Sequence, residues 1–123
     1  MFTLLYILAV TLTPLILLVF GFFFYKYPPQ KINNLYGYRT TQSKKSQEAW
    51  AFAQVHSAKA LIRYSLAALA ISLLVMLALS LGPIPLSEGQ AVIAILVISL
   101  TQALGLIIYL MGTERALKEI FDD

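Results

Sequence analysis

Charged residues divide the chain into three long apolar stretches, with one extended polar segment between the first two. No Asp, Glu, Lys or Arg occurs within residues 2–25, 64–87 or 89–113. Each stretch exceeds the roughly 20 residues that an α-helix needs to cross about 30 Å of hydrocarbon, and it is too long for a buried strand. A membrane-spanning segment must also satisfy its own backbone hydrogen bonds, which favours helices. The pattern therefore predicts an all-α membrane protein with three transmembrane helices, at residues 3–25, 62–82 and 90–112.

The overall composition agrees with that prediction. Of the 123 residues, 59% are hydrophobic and 12% are charged. The charged share is about half that of an ordinary soluble domain, so we interpret residues 1–123 as a single integral membrane domain. The chain has no cysteine and one histidine, which excludes disulfides and thiol chemistry and leaves no set of metal ligands. We predict no metal site and no cofactor.

The basic residues are distributed unevenly about the predicted helices, and this sets the expected orientation. Residues 26–63 hold seven Lys or Arg against one Glu, whereas residues 82–89 hold none. Because Lys and Arg accumulate on the cytoplasmic side, we expect a cytoplasmic segment 26–61, an N-terminus outside and a cytoplasmic tail 113–123. The first apolar run is longer than the apolar core of a signal peptide, and its basic residues follow it instead of preceding it, so a retained helix is preferred over a cleaved leader.

The polar segment divides into an extended part and an amphipathic helix. Pro28 and Pro29 remove backbone donors and disfavour helix at the preceding residue. Ser43 is predicted to be the N-cap of a helix over residues 44–63. One face of that helix carries mostly apolar or small side chains at helical spacing, from Trp50 through Ala53, Ser57, Ala60 and Leu61 to Tyr64. The helix could run straight into the second membrane helix, or lie at the interface and bend.

A specific motif occupies the polar segment. Its elements are Pro28-Pro29, Ile32-Asn33, Tyr36-Gly37-Tyr38-Arg39-Thr40, Ser43, Glu48 and Trp50. These residues resemble the SdpI family of bacterial membrane proteins, of the sporulation-delaying-protein immunity type, and the chain is identified as a short, three-helix member. The resemblance implies a bacterial cytoplasmic-membrane protein of immunity or resistance type. Its partners would be a secreted toxic peptide or a cytoplasmic regulator.

The same motif supplies the candidate site. A planar guanidinium suits phosphate or carboxylate, so Arg39 could bind an anionic ligand or lipid phosphate; it could instead tie the loop to backbone carbonyls. Trp50 could stack on a ligand, although tryptophan at this depth is often a membrane-interface anchor. Ser43 is a cap rather than a nucleophile, since no supporting base accompanies it. The predicted ligand-binding residues are Asn33, Tyr36, Gly37, Arg39, Thr40, Ser43 and Trp50, and no catalytic residue is predicted.

Polar residues also occur near the middle of the predicted spans. Gln102 is the most polar of them, and an amide in hydrocarbon must find partners. It could join helices or line a ligand cavity. Small residues spaced four apart, Ala68 with Ser72 and Ser99 with Ala103, allow close helix contact, and a homodimer is one consequence.

Three functions from different classes fit these observations. The preferred hypothesis is a non-catalytic immunity or resistance protein that binds a membrane-active agent or its lipid target. A small enzyme or lipid-handling protein acting on a phosphate-bearing lipid is the second. The third is a membrane docking subunit for a cytoplasmic regulator. Membrane lipid is an expected partner in the first two, and nucleic acid in none.

Overall fold

A computed structural model describes residues 2–121, and that part of the chain forms three α-helices and no strand. They are α1 (Phe2–Lys26), α2 (Gln47–Ser80) and α3 (Glu88–Phe121). All three are long and apolar enough to cross a membrane. The predicted all-α fold with three membrane-spanning helices is confirmed, and the chain is a multi-pass membrane protein.

The second helix is one continuous element, which decides between the two arrangements that the sequence allowed. α2 runs for 34 residues without a break, about 50 Å at 1.5 Å per residue. No Gly or Pro occurs between Lys44 and Leu81, so nothing in this stretch interrupts the helical hydrogen bonds. The amphipathic helix and the second membrane span are therefore the same helix.

The N-terminus of α2 differs from the prediction. The N-cap is Ser46, whose Oγ accepts a hydrogen bond from the backbone N–H of Ala49 at 3.0 Å. Ser43 was predicted for this role, and that prediction is wrong by three residues. Both serines precede the same helical stretch, but Ser43 is already engaged in a turn that ends before the helix begins.

The connection between α2 and α3 is short and marks one end of the bundle, which we call the hairpin end. α3 begins with reciprocal bonds: the Ser87 N–H donates to Gln90 Oε1 at 3.1 Å, and the Gln90 N–H donates to Ser87 Oγ at 3.2 Å. Such a capping box satisfies donors that a helix start leaves free. α3 then continues to Phe121, so the predicted tail is helical where the structure describes it.

The helices pack with α2 in contact with both neighbours. A Cβ on Gly21 of α1 would lie 2.9 Å from Ile62 Cγ1 and 3.3 Å from the Ile62 backbone nitrogen. Only a glycine allows this close approach of α1 to α2. The outer surfaces carry exposed leucine, isoleucine, valine and phenylalanine side chains along all three helices, as expected for surfaces that face lipid.

A buried polar group joins the three helices within the span. Pro14 lies inside α1 and has no N–H, so the Val10 carbonyl four residues earlier lacks its helical donor. Gln102 Nε2 donates to that carbonyl at 2.8 Å and to Ser72 Oγ of α2 at 2.7 Å. The Tyr64 hydroxyl donates to the Gln102 carbonyl. Gln102 therefore joins helices, the first of its two predicted roles.

Candidate functional site

Residues 27–46, the connecting segment, fold back over the end of the bundle opposite the hairpin, which we call the loop end. The segment is anchored on Trp50 in the first turn of α2. The Trp50 side chain is 0% exposed, and its Nε1–H donates to the Pro29 carbonyl at 2.7 Å. Trp50 thus lies inside the protein, where it holds the proline pair, and it presents no surface to lipid or ligand in this conformation.

The centre of the connecting segment is held by one buried amide. Gln54 is 3% exposed; its Oε1 accepts from the Tyr38 N–H and its Nε2 donates to the Tyr38 carbonyl, both at 2.8 Å. Gly37 precedes this pair with a φ of 100°, and a Cβ there would come within 2.7 Å of both Gln54 Oε1 and Pro29 Cγ. Position 37 therefore requires glycine for its backbone conformation and for space.

The Tyr38 side chain links the segment to α3. Its hydroxyl donates to Glu114 Oε2 at 2.7 Å and lies 3.4 Å from the Leu110 carbonyl. Burial and the neighbouring Glu114 carboxylate raise the pKa of Tyr38 well above its usual value. Because the raised pKa keeps the hydroxyl protonated throughout the neutral range, it remains a donor to the carboxylate.

Tyr38→Phe removes this donor while retaining the ring. We expect it to lower the free energy of unfolding by about 1.5–3 kcal/mol, the usual range for a hydrogen bond to a charged group. Titration with sodium dodecyl sulfate, followed by the fluorescence of Trp50, measures the change. Tyr36→Phe is the matched control, since it removes the same atom from an exposed ring two residues away. Equal losses in both variants would contradict a specific role for the Glu114 contact.

Thr40 and Ser43 close a turn rather than line a site. The Thr40 N–H donates to Ser43 Oγ at 2.8 Å, and the Ser43 N–H donates to Thr40 Oγ1 at 3.2 Å. Ser43 is fully buried, and its hydroxyl lies 2.8 Å from the Thr40 carbonyl and 3.2 Å from that of Tyr38. These bonds satisfy the polar groups of the turn locally.

A second turn is built around Asn33. Its Oδ1 accepts from the N–H groups of Leu35 and Tyr36, both at 2.9 Å, and its Nδ2 donates to the Lys31 carbonyl at 3.0 Å. This Asx-type turn reverses the chain without backbone pairing. It places the Tyr36 ring against Phe24 of α1, with centroids 6.5 Å apart.

Two basic side chains, Arg39 and Lys44, both contact Asn34, the residue that follows Asn33 in the chain. The exposed Arg39 guanidinium donates to the Asn34 carbonyl, and Lys44 Nζ donates to Asn34 Oδ1 at 3.0 Å. Of the two roles considered for Arg39, the carbonyl contact is the one that the structure contains. The guanidinium remains at the surface, with further donors beyond this bond.

The segment and the end of α1 enclose an open groove of about 630 Å³, which we call the basic groove. Two cations and three aromatic rings stand on its walls, and the Lys26 ammonium lies 5.6 Å from the Tyr27 ring centroid. The volume falls within the range of small-molecule sites. Its lining side chains include Phe23, Lys26, Tyr27, Lys31, Asn33 and Tyr36.

Beneath the segment, α2 and α3 pack through a small apolar cluster. Ala49, Ala53 and Leu117 are each 0% exposed, and Phe52 and Phe121 pack against them. His56 Nδ1 and Thr113 Oγ1, one from each helix, lie 2.7 Å apart. The part of the loop end formed by α2 and α3 is therefore a packed platform.

The seven predicted site residues divide into three groups. Asn33 and Tyr36 line the basic groove. Arg39 is exposed but does not line it. The other four hold the segment in place: Gly37, Thr40, Ser43 and Trp50. Gln54 was not predicted to take part; its signal in the sequence is a polar residue one helical turn after Trp50 on a mostly apolar face. Lys26 and Lys31, which flank the proline pair, were not predicted to line a groove either.

Comparison with known proteins gives one family. A family model described as the SdpI/YfhL protein family matches residues 30–110, which is more than half of the chain. The match extends from Gln30 in the connecting segment, through α2, to Leu110 in α3. No curated protein and no solved structure matches the chain.

Proposed function

This chain belongs to the SdpI/YfhL protein family, and from that premise we propose that it is an immunity- or resistance-type protein of the bacterial cytoplasmic membrane. It acts by binding at the loop end, where it recognises a membrane-active agent or the lipid target of that agent. The excess of Lys and Arg in residues 26–63 supports a cytoplasmic position for the loop end.

The observation that carries the proposal is the basic groove, which is lined by the end of α1 and by a connecting segment anchored on α2. Gly37, Thr40, Ser43 and Trp50 of the motif fix the connecting segment. Gln54, which lies outside the motif, adds its hydrogen bonds to Tyr38. A segment fixed in this way keeps its exposed side chains in one arrangement, and a preorganised surface loses less entropy on binding. Tyr36, 51% exposed, belongs to that surface.

Recognition fits the segment better than catalysis does. A nucleophile needs an accessible position and an activating base, whereas Ser43 is fully buried and its hydroxyl is bonded to backbone groups. The Glu114 carboxylate accepts the Tyr38 hydroxyl, and this contact supports the platform. We therefore propose a binding protein that does not turn over its ligand.

Protection of a sensitive bacterium tests this function. Cells that express the wild type at a measured membrane level should survive a panel of membrane-active peptides better than cells without it. Tyr36→Ala removes a ring from the groove wall and should reduce protection at least about tenfold, the effect of losing one well-placed aromatic contact. Survival is scored as the lowest inhibitory peptide concentration.

Tyr25→Ala is the matched control, since Tyr25 is 49% exposed and lies at the same end of α1 but does not line the groove. It should protect as the wild type does. No protection by the wild type against any peptide of the panel would refute the immunity function. Equal loss in both tyrosine variants would refute the groove as the binding surface.

A further inference from the structure

We propose that the ligand of the basic groove is an anionic phospholipid, held by its phosphate between Lys26 and Lys31 and by a hydrocarbon chain along Phe23 and the outer face of α1. The inference rests on the proposed function, because it takes the groove as the binding surface. It names the chemistry that the groove recognises, and it moves the anion-binding role from Arg39 to two lysines that the motif does not contain.

Charge is the first argument. Lys26 and Lys31 line the groove, and none of its other lining residues is acidic. Asn33 and Gln30 contribute only neutral amides. The C-terminus of α1 carries partial negative charge, which opposes an anion, so one ammonium is offset in part and the second supplies the net attraction. Together the two ammonium groups leave the groove with a net positive charge.

Depth in the membrane is the second argument. Lys26 is the last residue of α1, directly after a run of 24 residues without a charge. A cation at this position lies at the boundary between hydrocarbon and headgroups, where long basic side chains reach phosphate groups. The groove is therefore at the level of the lipid headgroups.

The apolar wall is the third argument, and it distinguishes a lipid from a free anion. Phe23 lines the groove and is also exposed on α1, where Val19 and Phe20 lie one turn below it with exposed side chains. A continuous apolar path thus leads from the groove down the outside of the helix. An amphiphile with a phosphate and a hydrocarbon chain fits both the groove and the apolar path along α1, whereas inorganic phosphate fits only the groove.

The aromatic rings complete the site. The Tyr27 ring packs against Phe23 in a tilted arrangement with centroids 5.7 Å apart, and Tyr36 stacks on Phe24 at 6.5 Å. Tyrosine rings favour the membrane–water interface because the ring is apolar and the hydroxyl is polar. Both rings line the groove together with the two lysines.

Binding of defined lipids to the purified full chain in a mild, uncharged detergent tests the proposal, with native mass spectrometry as the readout. Phosphatidylglycerol should bind to the wild type at least about tenfold more tightly than phosphatidylcholine, a difference expected from two basic groups near an anionic headgroup. Lys26→Gln with Lys31→Gln should abolish that preference. Arg115→Gln with Lys118→Gln removes the same charge from exposed positions of α3 and should retain it.

Each other outcome overturns the proposal. Equal binding of the two lipids would exclude selection for an anionic headgroup. Loss of preference in the α3 control would indicate a diffuse basic surface. Displacement of phosphatidylglycerol by millimolar inorganic phosphate would show that the site recognises phosphate without the hydrocarbon chain. Protection of cells by the wild type together with any of these results would leave the proposed function intact and reject only its lipid ligand.

Discussion

Gly37→Ala is expected to detach the connecting segment from α2 and to lower the free energy of unfolding by about 2–4 kcal/mol. A left-handed backbone costs an L-residue roughly 1–2 kcal/mol, and an unpaired buried polar group costs about 1–3 kcal/mol. Both penalties apply, since φ is 100° and the new Cβ would displace Gln54 from Tyr38. The position of the Trp50 emission maximum reports the loss directly, because Trp50 is the single tryptophan and is buried under the segment.

Gly112→Ala is the control for this experiment. Gly112 lies in α3, has no positive φ, and a Cβ there would meet nothing within 4 Å. The substitution should be neutral or stabilising by up to about 1 kcal/mol, because alanine is the better helix former. An unchanged emission maximum and an unchanged free energy of unfolding in Gly37→Ala would show that the segment does not need the geometry described above.

We expect Gln102→Leu to lower the free energy of unfolding nearly as much as Gly37→Ala does, and a second substitution can test the cause. It removes the donor to the Val10 carbonyl within the membrane span, where no water replaces it, and we expect a loss of about 2–3 kcal/mol. Pro14→Ala should relieve most of the loss, because the new N–H at position 14 can donate to Val10. A double-mutant cycle in unfolding titrations therefore predicts that Gln102→Leu costs at least about 1 kcal/mol less when residue 14 is alanine.

Thr101→Val supplies the comparison for that cycle. The Thr101 hydroxyl donates to the Val97 carbonyl of its own helix at 2.8 Å and is exposed. Its loss should change the free energy of unfolding by less than about 0.6 kcal/mol, the average for such bonds in membranes. If Gln102→Leu costs the same with proline and with alanine at position 14, the bond to Val10 contributes nothing and our account of Pro14 is wrong.

The three membrane-spanning helices were predictable because they depend only on the hydrophobic composition of runs of more than about 20 residues. Charges at Lys26, Arg63, Glu88 and Glu114 bound apolar runs of sufficient length, and no tertiary contact is needed to interpret them. The continuity of α2 was not predictable in the same way. A helix that bends at the interface and one that continues have the same pattern of residues, and only the packing of both halves against α1 and α3 distinguishes them.

The motif within residues 28–50 indicated where to look for a site, but it did not predict which contacts its residues make. The buried Trp50 donates to the Pro29 carbonyl, 21 residues earlier in the chain. Ser43 does not cap α2, because its hydroxyl takes part in a turn with Thr40. Lys26 and Lys31 line the same groove because residues 27–31 leave α1 without continuing its helix. Contacts of this kind are set by the folded path of the chain, which local pattern does not contain.

The pairing of Gln54 with Tyr38 has a consequence for recognising this architecture in other chains. A single side chain here performs the task of a neighbouring β-strand, since its amide presents one acceptor and one donor to the same backbone residue. Asparagine is a methylene too short to do so, and ionised glutamate has no donor. A glutamine sixteen residues after the second tyrosine of a Tyr-Gly-Tyr-Arg-Thr run is therefore a signature of this docked segment, readable in any sequence before its structure is known.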